Sequence, residues 1–253
     1  MKRLMIIMLL LLATVSFGQT NYYSQNNGLA ISSESQVKEI YETILKTLPK
    51  RESLTPTIFH RIVKKDSIVN FYAFMVQNAD KKDQKSKFEF EFKQDSLYLL
   101  LNKKLPEFKL MDLDGKLFSS SKLIGKPTLL NYWAIYCRPC VAEFPQLDAL
   151  KTKYGTQMNF VAIAEDTCPG DTLKSFLKKH PFHFFMLKNG ERYKKTLKIG
   201  AIPRNIFIDK DGYIRYIQGN FPYDALNMET GERKYADNNY FVKIIEELIG
   251  SNK

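Results

Sequence analysis

Cysteine is scarce in this chain: three in 253 residues, at positions 137, 140 and 168. An exported protein stapled by disulfides carries more of them, spread along its length, so a disulfide scaffold is excluded. Two cysteines three positions apart, with one left over, point to chemistry instead. After the first twenty residues no apolar run approaches the roughly twenty that span a bilayer, which excludes a polytopic membrane protein. No internal repeat or low-complexity tract is present, which excludes repeat architectures. Acidic residues are outnumbered, 27 against 38 Lys and Arg, for a formal net charge of +11. The excess lies in scattered pairs such as Lys64-Lys65, Lys103-Lys104 and Lys178-Lys179. That suits a solvated surface better than a nucleic-acid groove, and no nucleic-acid partner is expected. Attraction to acidic partners or anionic headgroups stays open. With 44% hydrophobic and 13% aromatic residues, the chain can build a genuine core.

Residues 1–18 read as a signal peptide. Met1-Lys2-Arg3 is a positive start, Leu4 to Phe17 is uncharged and apolar, and Ser16-Phe17-Gly18 places small residues where a signal peptidase reads. The apolar run is too short for an ordinary span, so an uncleaved anchor is the lesser reading, and no cysteine stands nearby to be lipidated. The mature protein is expected to be soluble and periplasmic or otherwise extracytoplasmic, in a bacterium, with no transmembrane segment after cleavage.

From Gln19 to Asn102 the pattern is that of a small α+β domain. Val37, Ile40, Tyr41, Ile44, Leu45 and Leu48 recur at helical spacing behind a Ser33/Gln36 capping box, and Pro49 ends the helix. Strand chemistry follows at Ile58 to Val63, Ile68 to Val76, Lys87 to Lys93 and Leu97 to Leu101, and suggests an antiparallel meander. From residue 103 to 253 strands and helices alternate. A hairpin turns at Asp114-Gly115, Thr128 to Ala134 and Phe160 to Ala164 are buried-type strands, and Asp171 to Lys179 is a helix. Phe184 to Leu187 is short and extended. A second hairpin turns at Asp209 to Gly212, and an amphipathic helix over Asn238 to Ile249 closes the chain. This is an α/β layer fold with a central mixed sheet.

Cys137-Arg138-Pro139-Cys140 sits where a buried strand gives way to a helix. Unpaired N–H groups and the helix dipole favour a thiolate at the first cysteine, lowering its pKa from about 8.5 to roughly 3.5–7.5. Pro139 falls in the first turn, where its missing N–H costs nothing. Three-residue spacing brings both sulfurs to one face, so a mixed disulfide at Cys137 can be resolved by Cys140. A zinc site completed by His180 and His183 is the lesser reading, because the gap of about forty residues is far from finger-like spacing; a purely structural disulfide is another. No metal and no cofactor is expected.

The segment Asn131 to Pro145 resembles the active-site strand and helix of the TlpA/ResA-type thioredoxin-like proteins. So do Leu105-Pro106-Glu107-Phe108 and Asp112 to Gly115 upstream, and Ala201-Ile202-Pro203 with Phe207 to Gly212 downstream. The resemblance covers roughly Leu105 to Gly250. It implies a thioredoxin fold in which Cys137 attacks and Cys140 resolves. Ile202-Pro203 would form a cis bond beside them, presenting backbone to an extended substrate segment and keeping metals off the sulfurs. Trp133, Tyr136, Arg138, Pro139, Ile202 and Pro203 are the expected substrate-contacting residues. Pro145 would kink the helix. Where thioredoxin has a buried aspartate this chain has Asn131, and Glu143, matching the family's glutamate, is expected to manage the Cys140 proton.

Arg138 between the cysteines departs from the family pattern, and a fixed cation there makes a disulfide more oxidising. Cys168 is expected to be an idle thiol. Peroxiredoxin chemistry is disfavoured, since Ala134 and Leu130 occupy the positions where it needs a hydroxyl residue and a proline. The expected function is reduction or exchange of disulfides in exported proteins, with electrons from a membrane or periplasmic donor; the resemblance suggests cytochrome c maturation. A dithiol oxidase or isomerase is the near rival, and a thioredoxin-scaffold binding module the distant one. N-terminal sequencing of the mature protein is expected to begin at Gln19 or within a few residues of it; an intact Met1 on membrane-bound protein would sink the cleavage expectation.

Overall fold

The computed structural model describes residues 19–25, 29–49, 52–78, 87–165, 170–222, 225–226, 233–234 and 239–250. The expected signal peptide and Cys168 lie outside them. Helix α1 (Glu34–Thr47) starts as its sequence dictates: the Gln36 amide donates to Ser33 Oγ at 3.3 Å, and the Ser33 amide donates to Gln36 Oε1 at 2.8 Å. Its buried face carries Val37, which packs with Tyr23, Ile58 and Tyr72.

That face covers a four-stranded sheet of β1 (Thr20–Ser24), β2 (Glu52–Val63), β3 (Ser67–Asn78) and β4 (Glu91–Phe92), in the order β1-β3-β2-β4. Only β2 and β3 form an antiparallel hairpin. β1 runs parallel to β3 and β4 parallel to β2, so the expected meander is corrected. Two strand expectations change with it. Over 87–93 only Glu91–Phe92 joins the sheet; Phe88 and Phe90 are used for ring packing against Tyr41 and Tyr23, at 5.2 and 4.6 Å between centroids. Ser96–Leu100 is a 3-10 turn rather than a strand, because the Asp95 carboxylate accepts the Leu97 amide at 3.0 Å and starts a turn. The turn buries Leu97 and Tyr98.

The second sheet has seven strands: β5 (Lys109–Asp112), β6 (Leu117–Ser119), β7 (Thr128–Trp133), β8 (Asn159–Ala164), β9 (Phe185–Lys188), β10 (Arg204–Ile208) and β11 (Ile214–Gln218). Their order is β11-β10-β7-β8-β9-β5-β6, with β7, β8 and β9 parallel and the flanking pairs antiparallel. The two hairpins share one device. Asp112 Oδ1 accepts the amides of Asp114 and Lys116, and Asp209 Oδ1 those of Asp211 and Tyr213. The glycine that closes each turn, Gly115 or Gly212, has φ of 81° or 84°, which other residues rarely adopt.

Helices α2 (Arg138–Ala142), α3 (Phe144–Tyr154), α4 (Gly170–Lys179), α5 (Glu191–Leu197) and α6 (Tyr240–Gly250) complete this part, with a two-stranded pair β12 (Ala225–Leu226) and β13 (Arg233–Lys234) between β11 and α6. The short α5 carries too few apolar positions, Tyr193 and Leu197, to show in the sequence. Among the described residues no helix is long and apolar enough to cross a membrane.

Strand β7 is buried at all six positions, so alternate residues feed two cores. Leu129 and Trp133 join the core beneath α2, α3 and α6. Leu130 and Tyr132 join the other, which also holds Tyr193 and Leu197 of α5 together with Val69, Phe71, Leu97 and Tyr98 from before residue 102. The Tyr98 hydroxyl donates to the Ile217 carbonyl at 3.0 Å, and Arg204 pairs with Asp95 at 2.8 Å. Leu97→Ala is therefore expected to cost about 2–5 kcal/mol, and to shift a urea transition followed by the fluorescence of Trp133, the sole tryptophan. A transition unmoved by that substitution would show that the two sheets unfold independently.

Candidate active site

Strand β7 ends at Trp133, a short turn follows, and the Cys137 amide donates to the Ala134 carbonyl at 3.0 Å. Cys137 is the N-cap of α2, its sulfur accepting the Cys140 amide at 3.3 Å. The two sulfurs are joined in a disulfide. Cys137 is 6% exposed and Cys140 not at all, so both are buried and only Cys137 keeps a small contact with solvent. Arg138 and Pro139 between them are exposed.

The helix breaks after one turn. Glu143 caps α2 and precedes α3, and Pro145 in the first turn of α3 has no N–H to continue the ladder. Glu143 itself is fully buried. Asn131 Nδ2 donates to its Oε1 at 3.0 Å, Asn205 Nδ2 donates to the same oxygen at 3.2 Å, and the Phe221 amide donates to Oε2 at 2.7 Å. Asn205 also accepts from Asn131 Nδ2 at 2.9 Å and donates to the Gly219 carbonyl at 2.8 Å. The orientation of both amides is thereby fixed, since flipping either would set oxygen against oxygen. Burial pushes the Tyr240 hydroxyl up to about 12, with the Glu143 charge adding to the effect.

The register places the proline loop. Arg204 lies opposite Tyr132 in the β10–β7 pairing, so Pro203 is level with Trp133 at the end of the strand that leads to Cys137. The Ile202–Pro203 peptide is cis; Pro203 is buried and Ile202 half-buried. Tyr136 is 67% exposed, its hydroxyl donating to Glu165 Oε2 at 3.0 Å, and Glu165 pairs with Lys194 at 2.7 Å. Trp133, expected in substrate contact, is instead fully buried and packs edge-on against Phe144 at 4.9 Å; in this state it supports the loop from below. The His180 ring lies tilted against Phe176 at 4.5 Å between centroids, and His183 pairs with Asp148 at 2.6 Å.

Four participants escaped the sequence reading: Asn205, the Phe221 amide, Glu165 and Lys194. Asn205 leaves a faint trace, a lone amide just before the apolar run Ile206 to Ile208. A backbone N–H leaves none.

A mixed sheet carrying a dithiol at a helix start and a cis-proline loop beside it defines a thioredoxin-fold protein of thiol–disulfide exchange. The redoxin family profile matches residues 100–228. Thiol-disulfide oxidoreductase ResA of Bacillus cereus is 30% identical over 125 residues, 49% of this chain and 72% of that protein. The ResA protein of Oceanobacillus iheyensis is 33% identical over 144 residues, 53% and 73% of the two chains. Among solved structures, the thioredoxin domain of a thiol-disulfide oxidoreductase from Bacteroides vulgatus aligns at a TM-score of 0.45 and 17% identity, covering 48% of this chain and 89% of that one. The chain belongs to the redoxin family, and it is an oxidoreductase of the thiol–disulfide class.

The Asn131 and Asn205 amides meet one oxygen of Glu143 and the Phe221 amide meets the other, each as an N–H donor, so an isosteric amide cannot satisfy both sides at once. Glu143→Gln is expected to cost about 1–3 kcal/mol of unfolding free energy, the penalty for one unsatisfied buried group, read by urea denaturation. Unchanged or increased stability would contradict this account of the network.

Proposed function

We propose that the protein is exported and reduces or exchanges disulfides in extracytoplasmic proteins, with Cys137 attacking and Cys140 resolving. The observation that carries this is the asymmetry of the pair above a buried carboxylate. The Cys137 thiolate attacks one sulfur of a substrate disulfide; a mixed disulfide forms and one substrate thiolate leaves. Desolvation opposes formation of a thiolate at fully buried Cys140, so its proton needs an acceptor close by, and Glu143 is one helical turn away. The Cys140 thiolate then attacks Cys137 Sγ, releasing the second substrate thiolate and leaving the enzyme disulfide. Two electrons and two protons from a membrane or periplasmic dithiol donor restore the reduced pair. The family resemblance makes the haem-site cysteines of cytochromes c the first substrates to examine.

Tyr136, Arg138, Pro139 and the Ile202–Pro203 segment are assigned to substrate contact around Cys137. Arg138 supports a second reading, net oxidation: an exposed cation between the cysteines favours the reduced, thiolate form and makes the disulfide the stronger oxidant. The reduction potential decides between them.

Cys140→Ser is expected to accumulate substrates joined to Cys137 as mixed disulfides. Glu143→Gln is expected to slow resolution and shift its pH dependence, while the first attack, read as the alkylation rate of Cys137 against pH, stays nearly intact. If no adducts accumulate and Cys137 titrates as a free thiol, the assigned roles are wrong.

A further inference from the structure

Beside the segment that leads into Pro203 lies an open groove of about 730 Å³. One side is the four-stranded sheet, through Phe59 of β2 with Ala73 and Met75 of β3. The other is Lys198, Gly200 and Ala201, the residues immediately before Ile202–Pro203. Lys93 completes the rim.

The lining has a definite chemistry. Phe59 and Ala73 are half-buried, and Met75 is 48% exposed, an apolar surface that the fold leaves in solvent. Arg204 and Asp95 neutralise each other across 2.8 Å. Lys93 and Lys198 are exposed and join no salt bridge among the described residues, so the groove carries a net positive charge. Lys198 also sits at φ 57°, the left-handed end of α5, a place that glycine or asparagine fills at lower energy. A lysine kept there against its backbone preference is consistent with a use for its side chain.

Position fixes what the groove can reach. Ala201 is two residues from Pro203, which is level with the end of β7 and so with the turn that carries Cys137. An extended residue spans at most ~3.6 Å, so a chain lying in the groove arrives at the dithiol within a few residues. We propose that the groove binds the polypeptide flanking the reacting cysteine of an oxidised substrate, and selects an extended segment that sets an apolar side chain beside acidic ones. The apolar side chain covers Phe59, Ala73 and Met75, and the carboxylates meet Lys93 and Lys198. The residues before 102 thereby supply one wall of a specificity site for the exchange reaction. This inference rests on the thiol–disulfide exchange proposed above.

The test uses the full mature chain, reduced, against two single-cysteine peptides, each carried as a mixed disulfide with glutathione. One flanks the cysteine with leucine and two glutamates, the other with leucine and two lysines. Each reaction oxidises the Cys137–Cys140 dithiol to its disulfide and releases peptide and glutathione as thiols, so one turnover needs no added reductant. The wild type is expected to prefer the acidic peptide about tenfold in second-order rate constant, a preference that weakens with salt. In the Lys93→Glu/Lys198→Glu variant the ratio inverts. The same reversal at Lys126 and Lys210, which flank the opposite ends of β7 and β10, leaves the acidic preference in place. Because the readout is a ratio within one enzyme, a change in folded fraction cancels. A preference that the Lys93/Lys198 reversal does not move, or that the distant reversal moves equally, overturns the groove alone. A wild type that exchanges with neither peptide nor glutathione disulfide overturns the exchange reading and the groove with it.

Discussion

A carboxylate removed from water must find its hydrogen bonds in the protein, and Glu143 finds them on three separate pieces of chain. Asn131 comes from the central strand, Asn205 from the antiparallel strand beside it, and the Phe221 amide from the segment that follows β11. These meet only if β10 lies against β7 in the observed register, with Asn205 directly opposite Asn131. A shift of one residue would turn one asparagine to the other face of the sheet. The same register sets Pro203 level with Trp133 and so brings the proline loop to the dithiol. One buried carboxyl group and one strand pairing thus hold Glu143, the cysteine pair and the proline loop in a common frame.

The break between α2 and α3 is part of that frame. Cys137 starts α2 and Glu143 ends it, where the carboxylate reaches Asn131 and Asn205 of the sheet. Pro145, lacking an N–H, interrupts the ladder just beyond Glu143. Phe144, just past the break, stacks on Phe182 at 4.0 Å and meets Trp133 edge-on. The aromatic packing that fixes α3 therefore also supports the strand end from which the cysteine turn departs.

Much of this was legible in the residues, and the parts that were not share a cause. Cys137 to Cys140, the β7 and β8 strands, both Asp-x-x-Gly hairpins and the Ser33 cap are local patterns, decided by neighbours within a few positions. Strand direction in the first sheet is not local. Tyr22 and Val69 pair in parallel across 47 positions, and nothing in either segment signals which way the other runs. Leu97 to Leu101 has strand composition, but the carboxylate of Asp95 overrides it by capping a turn. Trp133 looked like a substrate contact because of its place in a motif; its burial is settled by Phe144, Phe176 and Phe182, which lie far along the chain. Glu143 could be placed one turn from Cys140, whereas its donors could not be assembled without the sheet.

The donor set also bears on the role proposed for Glu143. Asn131 and Asn205 donate to Oε1 and the Phe221 amide donates to Oε2, so these three bonds are all ones the carboxylate accepts. A carboxylic acid in the same place would add an O–H donor among those N–H donors. In the proposed resolving step, a proton taken from Cys140 would therefore meet surroundings better matched to the carboxylate than to the acid, which favours passing it on. That match comes from three N–H donors placed by the fold of the sheet.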